Sequence, residues 1–181
     1  MTRITILKRE DMNAEQGRVF DDIKAAGGPV GGPYWAYIRN PKLMRLAQDI
    51  SGCLRDSTLS DRERQTAVLT VIRHWGAKYP WAVQVRGSLA AGVEQATVDA
   101  INAGRTPNLT DPREVAAHRV ARELLAEKGL SKETYAAADK VFNTEELVAL
   151  VAVVGQFSMV CCTANAFDID PPADVPHRLA G

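Results

Sequence analysis

Residues 60–104 read SDRERQTAVLTVIRHWGAKYPWAVQVRGSLAAGVEQATVDAINAG, and this stretch decides the fold. Ser60 and Glu63 form an S-x-x-E capping box, in which the hydroxyl and the carboxylate satisfy unpaired N–H groups at a helix start. Apolar residues then recur at helical spacing up to a glycine, and a proline suited to a first helical turn begins the next run. The stretch therefore predicts a helical hairpin over residues 61–75 and 80–91.

Helix-start signals on both sides of this hairpin predict further helices. They include Asn13 with a glutamine three residues later, Asn40 followed by proline, and Asp111 followed by proline. We expect a single-domain, all-α bundle of about eight helices. Residues 1–12 are expected to form an N-terminal arm, and the proline-rich residues 169–181 an irregular tail.

The composition is that of one ordinary globular domain over residues 1–181. Lys plus Arg and Asp plus Glu number 22 each, so no overall field would attract nucleic acid or an anionic membrane. The N-terminus lacks the pattern of a secretory signal, and three cysteines without metal-type spacing are typical of a reduced protein. We therefore expect a cytoplasmic protein with neither nucleic acid nor a membrane as its partner.

The most apolar segment, ELVALVAVVGQFSMVCCTANAF at residues 146–167, approaches the length of a membrane span. Its second half carries Gln156, Ser158, Thr163 and Asn165, which argues against a span. A helix that is apolar nearly all round in a soluble protein is a buried one, either in the core or at a subunit contact. We therefore expect a homo-oligomer.

Residues 73–93, RHWGAKYPWAVQVRGSLAAGV, resemble the signature helix pair of the carboxymuconolactone decarboxylase family, which is related to the alkylhydroperoxidase D proteins. The resemblance continues through GGPVGGPYWAYIRNPKL and NAFDIDPP, and it covers roughly residues 6–172. It implies an all-helical, alkylhydroperoxidase D-like fold and a trimer or hexamer. It also implies one of two activities, the decarboxylation of small lactone acids or thiol-dependent peroxide reduction.

Several positions depart from the family pattern. Relatives commonly carry a cysteine, a glutamate and a histidine in this helix pair, where this chain has Ala77, Pro80 and Gln84. A glutamate of the preceding helix is replaced by Gln65, and the sequence contains no C-x-x-C pair. An amide can orient a substrate or a water but cannot take a proton. Either the base has moved, or the chemistry needs only positioning and electrostatic stabilisation, or the protein is not an enzyme.

Arg73 and His74 are the candidate catalytic residues. A histidine titrates near neutral pH and can act as acid or base, whereas an arginine fork suits a substrate carboxylate. Each has a structural alternative, because His74 can neutralise a helix C-terminus and Arg73 can form a surface or intersubunit ion pair. If the base has moved, the residues that could supply it are His74, Tyr34, Tyr79 and Glu63.

The candidate substrate-binding residues lie in a glycine-rich loop and in the hairpin. Glycine-rich loops allow close approach of the backbone, and aromatic side chains suit small-molecule sites, although these aromatics could equally seal the core. We expect a pocket between the loop at residues 28–37 and the two hairpin helices. Its lining would comprise two positioning amides and an apolar wall, formed by Gln65, Gln84, Tyr34, Trp35 and Trp81.

The leading hypothesis is a cofactor-free lyase or decarboxylase that acts on a small organic acid or lactone. A second hypothesis is a non-catalytic ligand-binding or scaffold protein, which the amides at the motif positions favour. A thiol-dependent hydroperoxide reductase would need Cys53 or the vicinal Cys161–Cys162 pair, and neither has a partner at redox spacing. No cofactor is expected, and no metal, because the three histidines lack ligand spacing.

Overall fold

The computed structural model of the chain describes residues 2–180, which form nine α-helices and contain no strand. The helices are α1 Ala14–Ala25, α2 Tyr34–Tyr37, α3 Pro41–Arg55, α4 Asp61–Trp75, α5 Lys78–Ala90, α6 Gln95–Asn102, α7 Pro112–Glu127, α8 Lys132–Asp139 and α9 Thr144–Ala166. The prediction of an all-α bundle is confirmed, with the one-turn helix α2 in addition to the eight that were expected.

Helix α4 lies at the centre of the bundle and contacts α5, α6, α7 and α9. Nine of its fifteen residues are buried, including an uninterrupted run from Thr66 to Ile72. The predicted capping box forms at Ser60, and Gly76 ends the helix with a positive φ of 61°. The second hairpin helix begins at Lys78, two residues before the expected start, because Pro80 is accommodated within its first turn.

A second, smaller apolar cluster joins α1, α2 and α3. Val19 and Met44 are its most deeply buried members, and Tyr37 completes it from α2. The Tyr37 hydroxyl also lies 3.1 Å from Thr163 Oγ1, so the cluster is tied to the last helix. The loop between α1 and α2 is thereby held between the N-terminal helices and the rest of the bundle.

The arm and the tail both bind back onto the bundle. In the arm, the only regular structure among residues 2–12 is a 3-10 turn at Arg9–Asp11, and the Arg3 backbone N–H donates to the Phe167 carbonyl at 2.8 Å. In the tail, the Ala180 N–H donates to Asn102 Oδ1 at 2.8 Å. The described part of the tail forms no helix or strand, and Met1 and Gly181, the outermost residues of the two predicted segments, lie outside the described residues.

Helix α9 is long and apolar enough to cross a membrane by length and composition alone. It packs against α3, α4, α5, α7 and α8 along one side. Only 33% of its most apolar window is buried, and Val148 and Val151 are 63% and 41% exposed. The expectation of a helix buried all round is therefore met on one side only within this chain.

Candidate functional site

A cavity of about 260 Å³ opens where the loop before α2 meets α3, α4, α5 and α9. Its walls are apolar, with Leu54, Val68 and Phe157 among them. Its uncharged polar groups are amides and hydroxyls, its lining contains no acid, and we call it the amide cavity. The polar side chains that define it are Tyr34, Ser51, Gln65, Tyr79, Gln84 and Gln156.

Two glycines of the loop bring the Tyr79 ring into this wall. Gly32 has a φ of +63°, and a Cβ added there would stand 2.1 Å from Tyr79 Cε1. At Gly31 an added Cβ would stand 3.2 Å from the Tyr79 hydroxyl. On the other side the Trp35 ring meets Tyr79 edge-on, with the ring centroids 5.8 Å apart. The glycine-rich loop therefore serves close packing of the backbone on an aromatic ring.

Two side chains, from α2 and α9, converge on the hydroxyl of Ser51 in α3. The Gln156 amide donates to Ser51 Oγ, and the Tyr34 hydroxyl lies 3.3 Å from the same oxygen. On the hairpin side, Ser88 Oγ lies 3.0 Å from Gln65 Oε1 and 2.9 Å from the Gln84 carbonyl oxygen. These contacts hold the Gln65 and Gln156 amides in fixed orientations, as a binding site requires.

The lining of the amide cavity contains no carboxylate, imidazole or thiol. Burial raises the pKa of Tyr79, so its hydroxyl keeps its proton and acts as a hydrogen-bond donor. Two guanidinium groups also line the cavity. That of Arg64 already donates to Asp61 and to the Arg55 carbonyl, whereas Arg55 itself is exposed and has no carboxylate partner among residues 2–180. The site can therefore bind and polarise a ligand, but it offers no base that titrates near neutral pH.

The structure places the expected substrate-binding residues in three environments. Tyr34, Gln65 and Gln84 line the amide cavity together. Trp35 lies behind its wall, in contact with the Tyr79 ring. Trp81 is 1% exposed and belongs to the core between α4 and α5, because it points along the buried face of α5 rather than along the cavity face.

Arg73 and His74 line a different cavity, of about 160 Å³, at the other end of α4. No residue lines both cavities. The physical reason is the helix itself, since Arg73 follows Gln65 by eight residues, or about 12 Å along the axis. His74 is exposed and its ring meets Trp75 edge-on. The second cavity, which we call the arginine cavity, also contains Arg105, His118 and Arg122.

Sequence reasoning missed Ser51 and Gln156 as parts of the amide cavity. The two residues touch although 105 positions separate them, and neither belongs to a local motif. Arg105, His118 and Arg122 were missed for the same reason. Tyr79 was considered only as a replacement base. The structure instead packs its ring against Gly31 and Gly32 in the cavity wall.

Thiol and metal chemistry have no site at the amide cavity. Cys53 and Cys162 are exposed, and burial raises the pKa of the Cys161 thiol to about 12. None of the three lines the cavity. Within residues 2–180, no group of histidine, cysteine, aspartate and glutamate side chains is placed to hold a metal ion.

Comparison with known proteins finds similarity at the level of structure. No protein-family model matches the sequence, and no curated protein matches it significantly. An uncharacterized peroxidase-related protein from Silicibacter sp. TM1040 superposes with a TM-score of 0.78 at 16% identity, covering 99% of this chain and 96% of that one. A second, from Ralstonia eutropha JMP134 and described as an alkylhydroperoxidase AhpD core, gives 0.76 at 14% identity, with 96% and 94% covered.

A third structure is a cysteine-to-alanine variant of the debrominase Bmp8 in complex with 2,3,4-tribromopyrrole. It superposes with a TM-score of 0.75 at 18% identity, covering 96% of this chain and 93% of that one. At such identities the likeness concerns the fold, and it agrees with the helix order described above. The chain therefore has the alkylhydroperoxidase D-like fold.

Proposed function

We propose that the amide cavity binds a small, mostly apolar organic molecule and orients one polar group of it through amides and hydroxyls. The observation that carries this proposal is the convergence of Tyr34, Ser51 and Gln156 on one side of the cavity, with Gln65 held by Ser88 on the other. Small-molecule sites typically combine apolar walls with a few placed polar groups.

The size and chemistry of the cavity favour a ligand of one ring. Its volume of about 260 Å³ lies just below the usual range for ligand pockets. Amides and hydroxyls both donate and accept hydrogen bonds, so they suit a phenol, a carbonyl group or a ring N–H. The debrominase of the same fold is complexed with a substituted pyrrole, which supports a compact ring as the occupant.

A second candidate function is cofactor-free decarboxylation of a small organic acid or lactone in the same cavity. Arg55 favours it, because this guanidinium lines the cavity and is free to hold a carboxylate. In the reaction the carbon–carbon bond to the carboxylate breaks, carbon dioxide leaves, and the electron pair stays on the ring carbon. The Tyr79 hydroxyl would give that carbon its proton and recover one from water. Arg73 and His74 have no part in this step, since they line the arginine cavity.

Thiol-dependent peroxide reduction is a weaker proposal for this chain. It needs a thiolate at the site, and the amide cavity has no cysteine in its lining. The positions that carry cysteine, glutamate and histidine in relatives hold Ala77, Pro80 and Gln84 here. Thiol titration of the native protein tests this view, and a reactive cysteine at either exposed position would reopen it.

The test of the binding proposal uses calorimetry with phenol, pyrrole and pyrrole-2-carboxylate as probes. We expect saturable binding of at least one ring, weakened about tenfold by Gln156→Leu, because one charge-neutral hydrogen bond contributes about 1.4 kcal/mol or less. Gln95→Leu is the matched control, since Gln95 is exposed and far along the chain on α6. No saturable binding of any probe, or equal losses in the two variants, would overturn the proposal.

Turnover separates the two candidates. If the protein decarboxylates pyrrole-2-carboxylate or a lactone acid, Tyr79→Phe should abolish release of carbon dioxide while the acid still binds. If the protein binds ligands without turnover, the double variant Pro80→Glu with Gln84→His restores the family pattern and is the form that gains activity. An active wild type that loses activity on either single change makes the amides working parts of a diverged enzyme.

We also propose that the protein is a soluble homo-oligomer, a trimer or hexamer, assembled through the exposed side of α9. Val148 and Val151 are exposed there, and Leu46 and Ile50 are exposed on the adjacent helix α3. Light scattering should give a mass three or six times that of the chain, and Val148→Glu with Val151→Glu should give monomers. Tyr135→Glu, an exposed apolar position on α8, is the control and should leave the mass unchanged.

A further inference from the structure

We propose that the arginine cavity is a second ligand site, which binds the carboxylate or phosphate group of a small organic anion. The site is built from Arg73 on α4, Arg105 in the loop after α6, and His118 and Arg122 on α7. It shares no residue with the amide cavity, so it is independent of the function proposed above.

The first observation is an uncompensated concentration of positive charge. Three arginines line a cavity of about 160 Å³, and the lining contains no aspartate or glutamate. Among residues 2–180, none of the three lies within ion-pair distance of a carboxylate. Arg73 Nε is buried without a hydrogen-bond partner, and Arg122 donates to the Thr106 hydroxyl at 3.3 Å. Guanidinium groups bind carboxylates and phosphates in a two-pronged geometry, so such a group completes the site.

The second observation concerns His118, which is only 8% exposed. Its Nδ1 lies 2.9 Å from Thr70 Oγ1, and the Thr70 hydroxyl donates to the Thr66 carbonyl at 2.8 Å. Because that hydroxyl has one proton, the imidazole donates from Nδ1 and leaves an unprotonated lone pair on Nε2. Nε2 is buried and has no partner. A buried polar atom without a partner in a native structure calls for an explanation, and a bound ligand or an ordered water can supply one.

The charge state of His118 couples this site to protons. Burial, together with the nearby Arg122 guanidinium, lowers the pKa of His118 to about 4, so the imidazole is neutral in the empty cavity. An anion in contact with Nε2 favours the charged imidazolium, which then donates from both nitrogens. Binding should therefore take up a proton. The charged and titratable groups that face His118 from α4, the loop and α7 are Arg73, His74, Arg105, Arg119, Arg122, Glu123 and Glu127.

The cavity continues into a larger cleft of about 570 Å³, which would hold the body of the ligand. Thr106, His118 and Arg122 line both spaces. Pro107, Leu109 and Val115 make the far wall of the cleft apolar. Two carboxylates also line the cleft: Glu123, which accepts from the Ser131 backbone N–H, and the exposed Glu127. An acidic head group with an apolar body fits this arrangement.

Gly104 forms the turn at the end of α6, beside the arginine cavity. Its φ of +70° is in the left-handed region, and an added Cβ would lie 3.8 Å from Arg73 Nη2. The same turn fixes Arg105, whose N–H donates to the Ala100 carbonyl at 2.8 Å. The turn at the end of α6 thus fixes the backbone of Arg105 and lies close to the Arg73 guanidinium.

The test measures binding of four probes by calorimetry at low ionic strength: inorganic phosphate, acetate, phenyl phosphate and benzoate. We expect saturable binding, with the aromatic anions at least tenfold tighter than the bare ions because of the cleft. Comparison of the two phosphate probes with the two carboxylate probes shows which head group the site prefers. Arg73→Gln and Arg122→Gln should each weaken binding about tenfold or more, the loss typical of one charged hydrogen bond. Arg86→Gln on α5 removes an exposed arginine and should leave binding unchanged.

A second readout follows the His118 ring by NMR. Saturation with the tightest probe should raise the His118 pKa, and binding should tighten as pH falls from 7 to 6. Absence of saturable binding for all four probes, an equal loss in the Arg86 variant, or a His118 pKa unmoved by the probe would each overturn the proposal. Binding of phenol or pyrrole at the amide cavity should be unaffected by Arg122→Gln. The proposal for the arginine cavity and the proposal for the amide cavity can therefore fail independently of each other.

Discussion

The two ends of α4 differ in how their charges are balanced. At the N-terminal end, Arg113 donates to Glu63 at 2.6 Å and to Glu146 at 2.7 Å, and Arg62 binds both oxygens of Glu114. These pairs connect α4, α7 and α9. At the C-terminal end three arginines and a buried histidine face a cavity whose lining contains no carboxylate. A chain with a net charge of zero thus contains one balanced and one unbalanced charge cluster.

The charges at the N-terminal end of α4 stabilise the fold, whereas those at the C-terminal end are placed to bind a ligand. Glu63 and Glu146 raise the pKa of Arg113, and the Arg113 guanidinium in turn lowers the pKa of Glu146. Both carboxylates are largely buried, so each member of this network stabilises the others. The unbalanced cluster gives the fold nothing comparable, and its charges repel one another until an anion enters.

Removing Arg113 should have the largest effect. Arg113→Met leaves Glu63 and Glu146 buried without a cation, and it also removes a donor to the Val141 carbonyl at 2.6 Å. We expect a loss of about 3 kcal/mol in the free energy of unfolding, measured by urea denaturation. Arg86→Met is the control and should change it by less than about 0.5 kcal/mol. Similar losses of unfolding free energy in both variants would mean that the ion pairs of Arg113 do not stabilise the fold as proposed.

The pH dependence of stability should show the effect of His118, the buried histidine at the C-terminal end of α4. The folded pKa of His118 is lowered to about 4 from a usual 6.5, so between these values the unfolded chain binds the proton and the folded chain does not. Stability is therefore complete above pH 6.5 and falls as the pH is lowered toward 4. His118→Gln should remove about 2 kcal/mol of this loss at pH 4.5. His177→Gln in the tail should leave the profile as it is in the wild type.

An anion should stabilise the protein by binding at the C-terminal end of α4 and not at its N-terminal end. With the tightest anionic probe at ten times its dissociation constant, we expect about 1.4 kcal/mol of added stability, seen as a rise in the melting temperature. The rise should disappear in Arg122→Gln and persist in Arg62→Gln, which alters the balanced end. A rise of equal size in both variants would mean that the ion acts on the surface as a whole.

The smallest expected effect is an increase in stability. Arg105→Gln removes one of three like charges that have no carboxylate partner among residues 2–180, so stability without an anion should rise by up to about 0.5 kcal/mol. Sensitive urea titration in low salt is the appropriate measurement. Added salt screens the repulsion and should shrink the gain. A loss of stability in this variant would show that Arg105 has a structural role within the chain.

The sequence predicted the fold well because its helix signals are local. The capping pair at Ser60 and the proline at the start of α7 act within a few residues, and both formed as expected. Tyr34, Gln65 and Gln84 lie along one cavity, and a single motif and one loop suggested all three. The remaining site residues follow from packing between distant helices. The contact of Ser51 with Gln156, and the absence of an ion pair at Arg122 within residues 2–180, depend on three-dimensional neighbours that sequence spacing does not encode.

The packing of Tyr79 against Gly31 and Gly32 has a consequence for selectivity. A wall fixed by backbone contact cannot move outward to admit a larger guest, since the ring already occupies the space a Cβ would take. Binding then costs little ordering of the protein, so a guest of the right size gains affinity from preorganisation. A guest one methyl group too large meets a rigid boundary. Affinity in a homologous series of rings should therefore rise with size and then drop abruptly, with a cutoff set by the shape of the loop.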